Sequence, residues 1–353
     1  MIKMVAFDFD GTIGDTMEMC VSVFKQILTP YFDHAVTYDQ IARTFGFNEQ
    51  GMLKQLVGSG WQKAYNELLV LYKQNLPKCS KPFAGIPELI EELKDRNILT
   101  ALITGKGKET CDMTLEQYGM IRSFCAVETG RDDRTDKDAA MKRLMERYNL
   151  SPDEFMYIGD TAYDAESAHK AGAVCLSAAY GGIVDTAALE KVNPGKVFTT
   201  VKAMRDYFVQ KIFSSFLFIC RGNAARSQFA EALMRTHGYT NIYSAGIHVS
   251  GKHENVSLKD DGEKALLAVM SFKRMTGIDI SCCTRKLLSE KDAIKADTII
   301  SFLSQSDLPL FMEKYADKMT FWNVPDPKEM DEEGYTYVIN EIKKKVNNLT
   351  HEN

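Results

Sequence analysis

The sequence has little of what would mark a fibrous, disordered or membrane-spanning protein. Its 353 residues include only 9 prolines and 23 glycines, too few for a fibrous or low-complexity chain, and no repeat of fixed period occurs. Hydrophobic residues make up 45% and charged residues 26%, which excludes a wholly disordered chain. No uncharged apolar run approaches the roughly 18 residues that a membrane span needs.

A basic excess and a secretion signal are also lacking. The 43 Lys and Arg residues stand against 48 Asp and Glu residues, a net charge of −5, which does not indicate binding to nucleic acid. The first ten residues turn acidic and do not resemble a signal peptide, and the eight cysteines suggest reduced thiols in a cytosol. We therefore expect a cytoplasmic protein that binds neither nucleic acid nor membrane.

A chain of 353 residues favours two domains, and an alternation of strand-like and helix-like segments indeed starts twice. The first start is at residues 2–7, and strand patterns follow at 98–104, 124–128, 155–158 and 173–178. This rhythm predicts a doubly wound parallel sheet. About ninety residues separate the first two strands, more than one crossover needs. Since they contain four helical patterns, we predict a helical cap insert at about 15–80.

The second start is an apolar strand at 216–220, which enters a glycine-containing loop and then a helix. Further strand patterns lie at 242–245, 298–302 and 320–324, and helical patterns lie at 265–275, 308–315 and 335–347. They predict a second, smaller α/β domain with a parallel sheet and a phosphate-binding loop. The segment 206–215 has neither Gly nor Pro, which favours a helical junction. We place the two domains at 1–210 and 214–353.

Acidic and polar residues follow several strands of the first domain. In open α/β sheets, ligands bind at the carboxyl ends of the strands. Asp8-Phe9-Asp10-Gly11 alone would fit a solvated turn, but Thr104-Gly105 offers a hydroxyl and backbone N–H groups for a phosphate. Two acidic strand ends facing one another would repel unless a hard cation lay between them, and Mg²⁺ suits oxygen ligands and phosphates. The candidate residues are Asp8, Asp10, Thr104, Gly105, Lys137, Asp160 and Asp164.

In their order along the chain, these residues match the four motifs of the haloacid dehalogenase superfamily, and residues 1–210 resemble its phosphatases. The resemblance implies that Asp8 is the nucleophile, forming an aspartyl-phosphate. It implies that Asp10 protonates the leaving group and then activates water. Thr104 and Lys137 would hold the phosphoryl oxygens, and Lys137 would also restrain Asp8.

The same resemblance implies a magnesium cofactor. Asp8, the Asp10 carbonyl and Asp160 would be its ligands, with Asp164 in support. Within the superfamily, Asp10 argues for phosphoester hydrolysis and against a dehalogenase, while a sugar-phosphate mutase is the nearest alternative because it shares both aspartates. The predicted cap resembles that of phosphoglycolate phosphatase, so the expected substrate is a small phosphorylated metabolite.

A cysteine and an arginine frame the loop that opens the second domain. The segment Cys220–Ser227 follows a strand and enters a helix, an environment that lowers a cysteine pKa and cradles an oxyanion. Arg226 can fold back to bind phosphate bidentately, and Ser227 can donate a hydrogen bond to the thiolate. Asp326, before a proline on another loop, is the candidate general acid. The loop residues predicted to bind phosphate are Arg221, Gly222, Asn223, Ala224, Ala225 and Arg226.

Residues 214–353 resemble the low-molecular-weight protein tyrosine phosphatases, which share a fold with thioredoxin-coupled arsenate reductases. Cys220, Arg226, Ser227 and Asp326 match that family directly, and Asn223 and the Ser244-Ala245-Gly246 turn match the residues that hold its loop. The resemblance implies hydrolysis through a cysteinyl-phosphate without a cofactor, with a phosphotyrosine protein as a candidate partner.

Departures from the family pattern keep two alternatives open. Lys328, Glu329 and Met330 replace the aromatic residues that usually follow Asp-Pro, and Ser227-Gln228 is more typical of arsenate reductases. The position after the third strand has no resolving cysteine, and we interpret Cys282-Cys283, on an earlier loop, as incidental. The alternatives are an arsenate reductase and a non-catalytic phosphate-binding module.

Overall fold

The computed structural model describes residues 1–79, 81–134, 136–181 and 184–350. The chain divides into two compact units, Ile2–Asp206 and Tyr207–Asn353, here called the first and the second unit. Position 80, where the predicted cap ends, and position 353, where the predicted second domain ends, lie outside the described residues. Among the helices that are described, none has the length and apolar character needed to cross a membrane.

The first unit is built on a six-stranded sheet in the order β3-β2-β1-β4-β5-β6. β1 pairs in parallel with both β2 and β4, so the strand order reverses beside β1 and opens a crevice at the carboxyl ends of the strands. The predicted parallel α/β sheet is confirmed. The strands are β1 (Met4–Phe7), β2 (Leu99–Ile103), β3 (Ala126–Glu128), β4 (Phe155–Gly159), β5 (Val174–Ala178) and β6 (Val197–Phe198).

Four helices between β1 and β2 form the predicted cap and have their own hydrophobic core. Polar side chains stabilise the N-termini of two of these helices. Thr37 forms a capping box at the start of α2, and the Asn48 side chain accepts the backbone N–H of Gly51 at the start of α3. Both satisfy backbone N–H groups that have no partner within the helix. The cap helices are α1 (Met17–Leu28), α2 (Tyr38–Ala42), α3 (Glu49–Val57) and α4 (Trp61–Asn75).

The remaining helices of the first unit cover the sheet. They are α5 (Ile86–Asp95), α6 (Lys108–Gln117), α7 (Lys137–Arg147), α8 (Ala162–Ala171), α9 (Thr186–Val192) and α10 (Val201–Tyr207). A π-helical turn at Phe208–Phe213 follows α10 directly. The predicted helical junction is therefore confirmed, because helical backbone runs from 201 to 213.

The second unit has a four-stranded parallel sheet in the order β10-β9-β7-β8. Helices pack on it, and the rings of Phe229 and Phe272 stack at 4.6 Å between centroids. The elements are β7 (Phe216–Cys220), α11 (Arg226–Thr236), β8 (Ile242–Gly246), α12 (Glu263–Thr276), α13 (Glu290–Lys295), β9 (Thr298–Ser301), β10 (Met319–Phe321) and α14 (Glu332–Thr350).

The structure differs from the prediction at two neighbouring elements, which are the last helix before β10 and the strand β10 itself. Instead of an α-helix over 308–315, a 3₁₀ segment spans Leu310–Lys318 and is broken by non-helical backbone angles at Tyr315. β10 ends at Phe321 rather than at 324. After Trp322 the chain leaves the sheet, and the Val324 carbonyl accepts a side-chain hydrogen bond from Arg226 instead of a strand partner.

Candidate active sites

The first candidate site is built around Asp8, which follows β1 at the carboxyl edge of the sheet. The Asp8 backbone N–H donates to the Ile158 carbonyl of β4 at 2.8 Å, so pairing of the two strands fixes its position. The ammonium of Lys137, the first residue of α7, lies 2.9 Å from Asp8 Oδ2 and also contacts Asp164 Oδ1. All three side chains are buried or nearly so, which makes these strong, poorly screened ion pairs.

Three carboxylates meet at this point. One oxygen each from Asp8, Asp160 and Asp164 lies within 4.8 Å of the others. Asp164 accepts hydrogen bonds from the Tyr157 hydroxyl at 3.0 Å and the Thr161 backbone N–H at 3.0 Å. Although burial raises the pKa of Asp164, the Lys137 ammonium and the hydrogen bonds from the Thr161 hydroxyl and backbone N–H outweigh it and hold the pKa below its usual range. Asp164 is thus a charged anchor for Lys137.

The charges of Asp8 and Asp160, which Lys137 does not fully balance, fit a bound divalent cation. Burial, with Asp164 and Asp10 nearby, raises the pKa of Asp8 to about 6 despite Lys137. Burial and the neighbouring Asp164 and Asp8 raise the pKa of Asp160 well above its usual range. Asp8 Oδ1 is buried and has no hydrogen-bond partner among the residues that the structure describes. Clustered carboxylate oxygens of this kind are the ligands that Mg²⁺ prefers.

The Asp10 side chain lies apart from this cluster. Its Oδ1 accepts a hydrogen bond from the Thr16 hydroxyl and contacts the Lys106 ammonium at 2.9 Å. The structure therefore joins Asp8, Asp160 and Asp164 by their side chains, whereas any contribution of Asp10 to a metal site would come from its backbone carbonyl, as predicted.

Lys106 is a site residue that the sequence analysis missed. Its side chain is 2% exposed, and its ammonium contacts the Tyr72 hydroxyl of the cap at 2.9 Å as well as Asp10. Although burial lowers the pKa of Lys106, the surrounding groups, Asp10 first, raise it well above its ordinary value, so the ammonium stays charged. Its position two residues after Thr104 was the signal that could have revealed it.

Thr104 and Gly105 lie where the pattern placed them. Thr104 is buried, and its hydroxyl accepts the Lys106 backbone N–H at 3.2 Å. Gly105 lines the cavity beside Asp8. The loop after β1 comes so close to Asp160 that position 11 requires glycine. Gly11 has a φ of +75°, and a Cβ there would lie 2.0 Å from Asp160 Oδ2.

A cavity of about 290 Å³ lies between these residues and the cap. The cap touches the core of the first unit through α3: Glu49 accepts the Gly107 backbone N–H at 2.6 Å, and the Asn48 backbone N–H donates to the Arg131 carbonyl at 2.9 Å. Glu49 is buried and was not predicted, since an isolated Glu in a helical pattern usually indicates a solvated face.

The second candidate site is the loop between β7 and α11. Cys220 ends β7 and is buried, its Sγ 3.0 Å from the Ser227 hydroxyl. The Asn223 backbone N–H donates to the same sulfur at 3.2 Å. The structure thus brings Cys220 and Ser227 together as predicted, with a backbone donor aimed at the thiol.

Asn223 holds the loop together. Its φ is +49°, a left-handed conformation that Asn tolerates better than most residues. Its side-chain amide donates to the hydroxyls of Ser227 and Ser244, both at 2.9 Å, and its Oδ1 accepts the Lys286 backbone N–H at 2.8 Å. Gln228 donates to the Thr284 carbonyl at 2.9 Å. The Asn223 side chain therefore ties the loop to Ser244 and Lys286, while its backbone N–H is directed at the Cys220 sulfur. Asn223, which was predicted to bind phosphate, is not among the described residues that line the second cavity.

Arg226 is held over this loop by two carbonyls and one carboxylate. Its buried guanidinium donates to the carbonyls of Phe302 and Val324, both at 3.0 Å, and to Asp326 Oδ2 at 2.6 Å. The predicted general acid and the predicted phosphate-binding arginine are thus adjacent. Asp326 also accepts the Lys328 backbone N–H at 3.2 Å, which fixes the turn that presents it.

Several charged side chains line the second cavity, which has a volume of about 580 Å³. The loop residues Arg221, Gly222, Ala224, Ala225 and Arg226 line it. The Arg221 guanidinium itself reaches Asp307, at 3.4 Å. Buried Asp261 pairs with Arg285 and His253 in the same wall, a cluster that no sequence pattern indicated.

All eight cysteines fall within the described residues and are free. Cys282 and Cys283 are exposed and are not among the residues that line the cavity around Cys220. This arrangement agrees with their interpretation as incidental.

Both units match family models. Residues 5–178 match haloacid dehalogenase-like hydrolase, and residues 215–352 match low molecular weight phosphotyrosine protein phosphatase. The two predicted resemblances are therefore confirmed, and the predicted enzyme class, a hydrolase of phosphoric monoesters, is confirmed with them.

Relatives of known name match the first unit. A phosphoglycolate phosphatase of Vibrio vulnificus is 26% identical over 207 residues, 51% of this chain and 85% of the relative. An N-acetylmuramic acid 6-phosphate phosphatase of Pseudomonas putida is 25% identical over 193 residues, 52% of this chain and 85% of the relative. The crystal structure of a predicted phosphoglycolate phosphatase from Haemophilus somnus has 18% identity and a TM-score of 0.51, covering 58% of this chain and 97% of that one, which shows a shared fold.

A substitution at Gly246 tests how closely β8 packs against the loop between β7 and α11. A Cβ there would lie 2.8 Å from the Asn223 backbone nitrogen, whereas a Cβ at Gly251 would meet nothing within 4 Å. Gly246→Ala should destabilise the second unit by about 2 kcal/mol or more, and Gly251→Ala by less than about 0.5 kcal/mol. Urea unfolding followed by Trp322 fluorescence, in a Trp61→Phe background, measures both. Equal midpoints for the two variants would show that the loop tolerates a side chain at 246.

Proposed function

We propose that this chain, which contains a haloacid dehalogenase-like hydrolase domain followed by a low molecular weight phosphotyrosine phosphatase domain, is a bifunctional phosphatase with two independent catalytic sites. The first would hydrolyse phosphomonoesters through an aspartyl-phosphate with Mg²⁺, and the second through a cysteinyl-phosphate without a metal. The observation that carries the proposal is that each unit has a cavity lined by a buried candidate nucleophile, Asp8 or Cys220, and by a cation that can bind phosphate, Lys137 or Arg226.

In the first site, Asp8 would attack phosphorus while the bond from phosphorus to the ester oxygen breaks. Lys137 is placed to hold Asp8 and a phosphoryl oxygen at once, because its ammonium already lies 2.9 Å from Asp8 Oδ2. Asp10 would give its proton to the leaving oxygen. Thr104 and Gly105, at the neighbouring strand end, would bind the other phosphoryl oxygens.

Water would then release phosphate from Asp8. Asp10, ionised after the first step, would take a proton from that water, whose oxygen forms the new bond to phosphorus as the Asp8–phosphorus bond breaks. Lys106, 2.9 Å from Asp10, is placed to stabilise this ionised form. Asp8, Asp160 and the Asp10 carbonyl would hold Mg²⁺, with Asp164 in support, and the bound ion would offset the negative charge on the phosphate oxygens.

In the second site, the Cys220 thiolate would attack phosphorus with the phosphate held by Arg226 and the backbone of residues 221–226. The Arg226 carbonyl contacts fix the guanidinium before substrate binds, which lowers the entropic cost of binding. A phosphate dianion would compete with Asp326 for Arg226, which frees Asp326 to protonate the leaving oxygen. Ser227, 3.0 Å from the sulfur, would stabilise the thiolate when water releases phosphate. A small phosphorylated metabolite and a phosphotyrosine protein are both candidate substrates.

The first prediction concerns the metal-dependent site. Asp8→Asn should lower Mg²⁺-dependent hydrolysis of small phosphoesters by about 10³-fold or more, because an amide cannot act as the nucleophile. Activity in EDTA should not change. The exposed Asp95→Asn serves as the matched control. If EDTA leaves all metabolite phosphatase activity unchanged in the parent protein, the metal assignment is wrong.

The second prediction concerns the thiol. Cys220→Ser should abolish aryl-phosphate hydrolysis measured in EDTA, because a hydroxyl is a much weaker nucleophile than a thiolate. Vanadate should still bind through Arg226 and the loop backbone. Cys125→Ser, at an exposed position of the first unit, controls for loss of a thiol. Full EDTA-resistant activity in Cys220→Ser would eliminate the proposed mechanism.

The third prediction separates hydrolase from reductase. Arsenate reduction needs a second thiol to attack the thiol–arsenic adduct and form a disulfide that thioredoxin can open. Neither Cys282 nor Cys283 lines the cavity, so we expect no arsenate-dependent NADPH oxidation with thioredoxin and its reductase. Aryl-phosphate hydrolysis should proceed, and Asp326→Asn should slow it by about 10²-fold or more. Arsenate turnover that disappears in Cys282→Ser/Cys283→Ser would make the pair the resolving couple.

A further inference from the structure

The cavity of the first site has two chemically unlike sides. Its core side carries the charged groups Asp8, Asp10, Lys137 and Asp160. Its cap side is formed largely by hydrocarbon and aromatic side chains. Those most relevant to a bound leaving group are Phe24, Ile41, Phe45, Phe47, Met52 and Leu68.

The polar side chains of the cap side already have partners. Both carboxylate oxygens of Glu49 are occupied, by the Gly107 backbone N–H at 2.6 Å and the Thr110 hydroxyl at 2.5 Å. The Tyr72 hydroxyl is shared with the Lys106 ammonium at 2.9 Å and the Thr114 hydroxyl at 2.7 Å. A hydroxyl-rich leaving group would therefore lose its water and meet polar side chains that are already engaged with other residues on this side.

The charge of this wall also disfavours an anionic leaving group. Among the described residues that line the cavity, Lys106 and Lys137 are the basic ones, and both are paired with carboxylates, Lys106 with Asp10 and Lys137 with Asp8. The acidic Glu49 lies in the same wall. A carboxylate entering with the phosphate would face Glu49 without a cation of its own.

We propose that the first site takes phosphomonoesters whose leaving group is a small, uncharged and mainly apolar alcohol or phenol. This inference rests on the proposed phosphatase function of Asp8. The cavity volume of about 290 Å³ is at the lower limit of small-molecule sites, so the leaving group is about the size of one ring. Each sugar hydroxyl left without a partner lowers affinity by about tenfold, whereas apolar surface gains by leaving water.

The test compares three phosphate esters of primary alcohols: benzyl phosphate, glucose 6-phosphate and phosphoglycolate. The protein carries Cys220→Ser to silence the second site, and kcat/KM is measured with Mg²⁺. We expect benzyl phosphate to exceed glucose 6-phosphate by at least about 100-fold, which corresponds to two lost hydroxyl partners. We expect it to exceed phosphoglycolate by a similar factor, because the carboxylate of that leaving group would face Glu49. Equal or faster hydrolysis of glucose 6-phosphate or phosphoglycolate would overturn the inference.

An Asp8→Asn/Cys220→Ser double variant distinguishes this failure from a failure of the proposed function. Activity that is lost in the double variant belongs to the first site, whichever ester it favours. If no ester shows Asp8-dependent turnover, the proposed function of the site fails, and the substrate inference falls with it.

Phe47 tests the wall directly. This half-buried residue lines the cavity, whereas Phe32, also half-buried and packed against the cap core, does not. Phe47→Ala should lower kcat/KM for benzyl phosphate by about tenfold and change that for glucose 6-phosphate by less than threefold. Phe32→Ala should leave the ratio of the two unchanged. An equal loss for both substrates in Phe47→Ala would show that the wall does not select apolar groups.

Discussion

The first site depends on the burial of several carboxylates around one shared ammonium. Lys137 contacts Asp8 and Asp164 together, and all three side chains have little exposure. Buried charges persist only when they are paired and hydrogen-bonded, so the start of α7 and the ends of β1 and β4 must come together for any of them to be stable. The Tyr157 hydroxyl and the capping box at Thr161 complete the shell around Asp164. The charge that remains on Asp8 and Asp160 is what a divalent cation would neutralise.

The second candidate site is held together mainly by neutral hydrogen bonds rather than by buried ion pairs between carboxylates and a lysine. Asn223 links two serine hydroxyls and the Lys286 amide, and its left-handed backbone folds the loop around the Cys220 sulfur. The positive charge comes from Arg226, which main-chain carbonyls hold in place. Two acidic side chains of this cavity are paired with arginines, Asp326 with Arg226 and Asp261 with Arg285.

Strand ends explain how much of both sites the sequence could predict. In a parallel sheet, the residues after each strand meet at one edge, so Asp8, Thr104 and Asp160 could be placed together from their offsets alone. The contacts between the cap and the core of the first unit could not be predicted in this way. Lys106 and Glu49 acquire their partners only when helices that are distant in sequence fold together. The segment at 308–315 was misjudged for a related reason: its apolar spacing suits both α- and 3₁₀-helices, and tertiary packing decided between them.

Because of where the cap is inserted, the proposed catalytic residues and the residues that would select the substrate lie on different parts of the first unit. The insert begins soon after Asp10, at the carboxyl edge of the sheet, so a folded cap there must face Asp8. Its inner wall can change without disturbing the strand ends, since α1 to α4 have a core of their own. The exceptions are in α3 and α4: Glu49 binds the backbone at the start of α6, next to Lys106, and the Tyr72 hydroxyl contacts the Lys106 ammonium and the Thr114 hydroxyl. Any change of substrate by evolution or design is therefore freest at wall positions such as Phe45 and Phe47, and most constrained at Glu49.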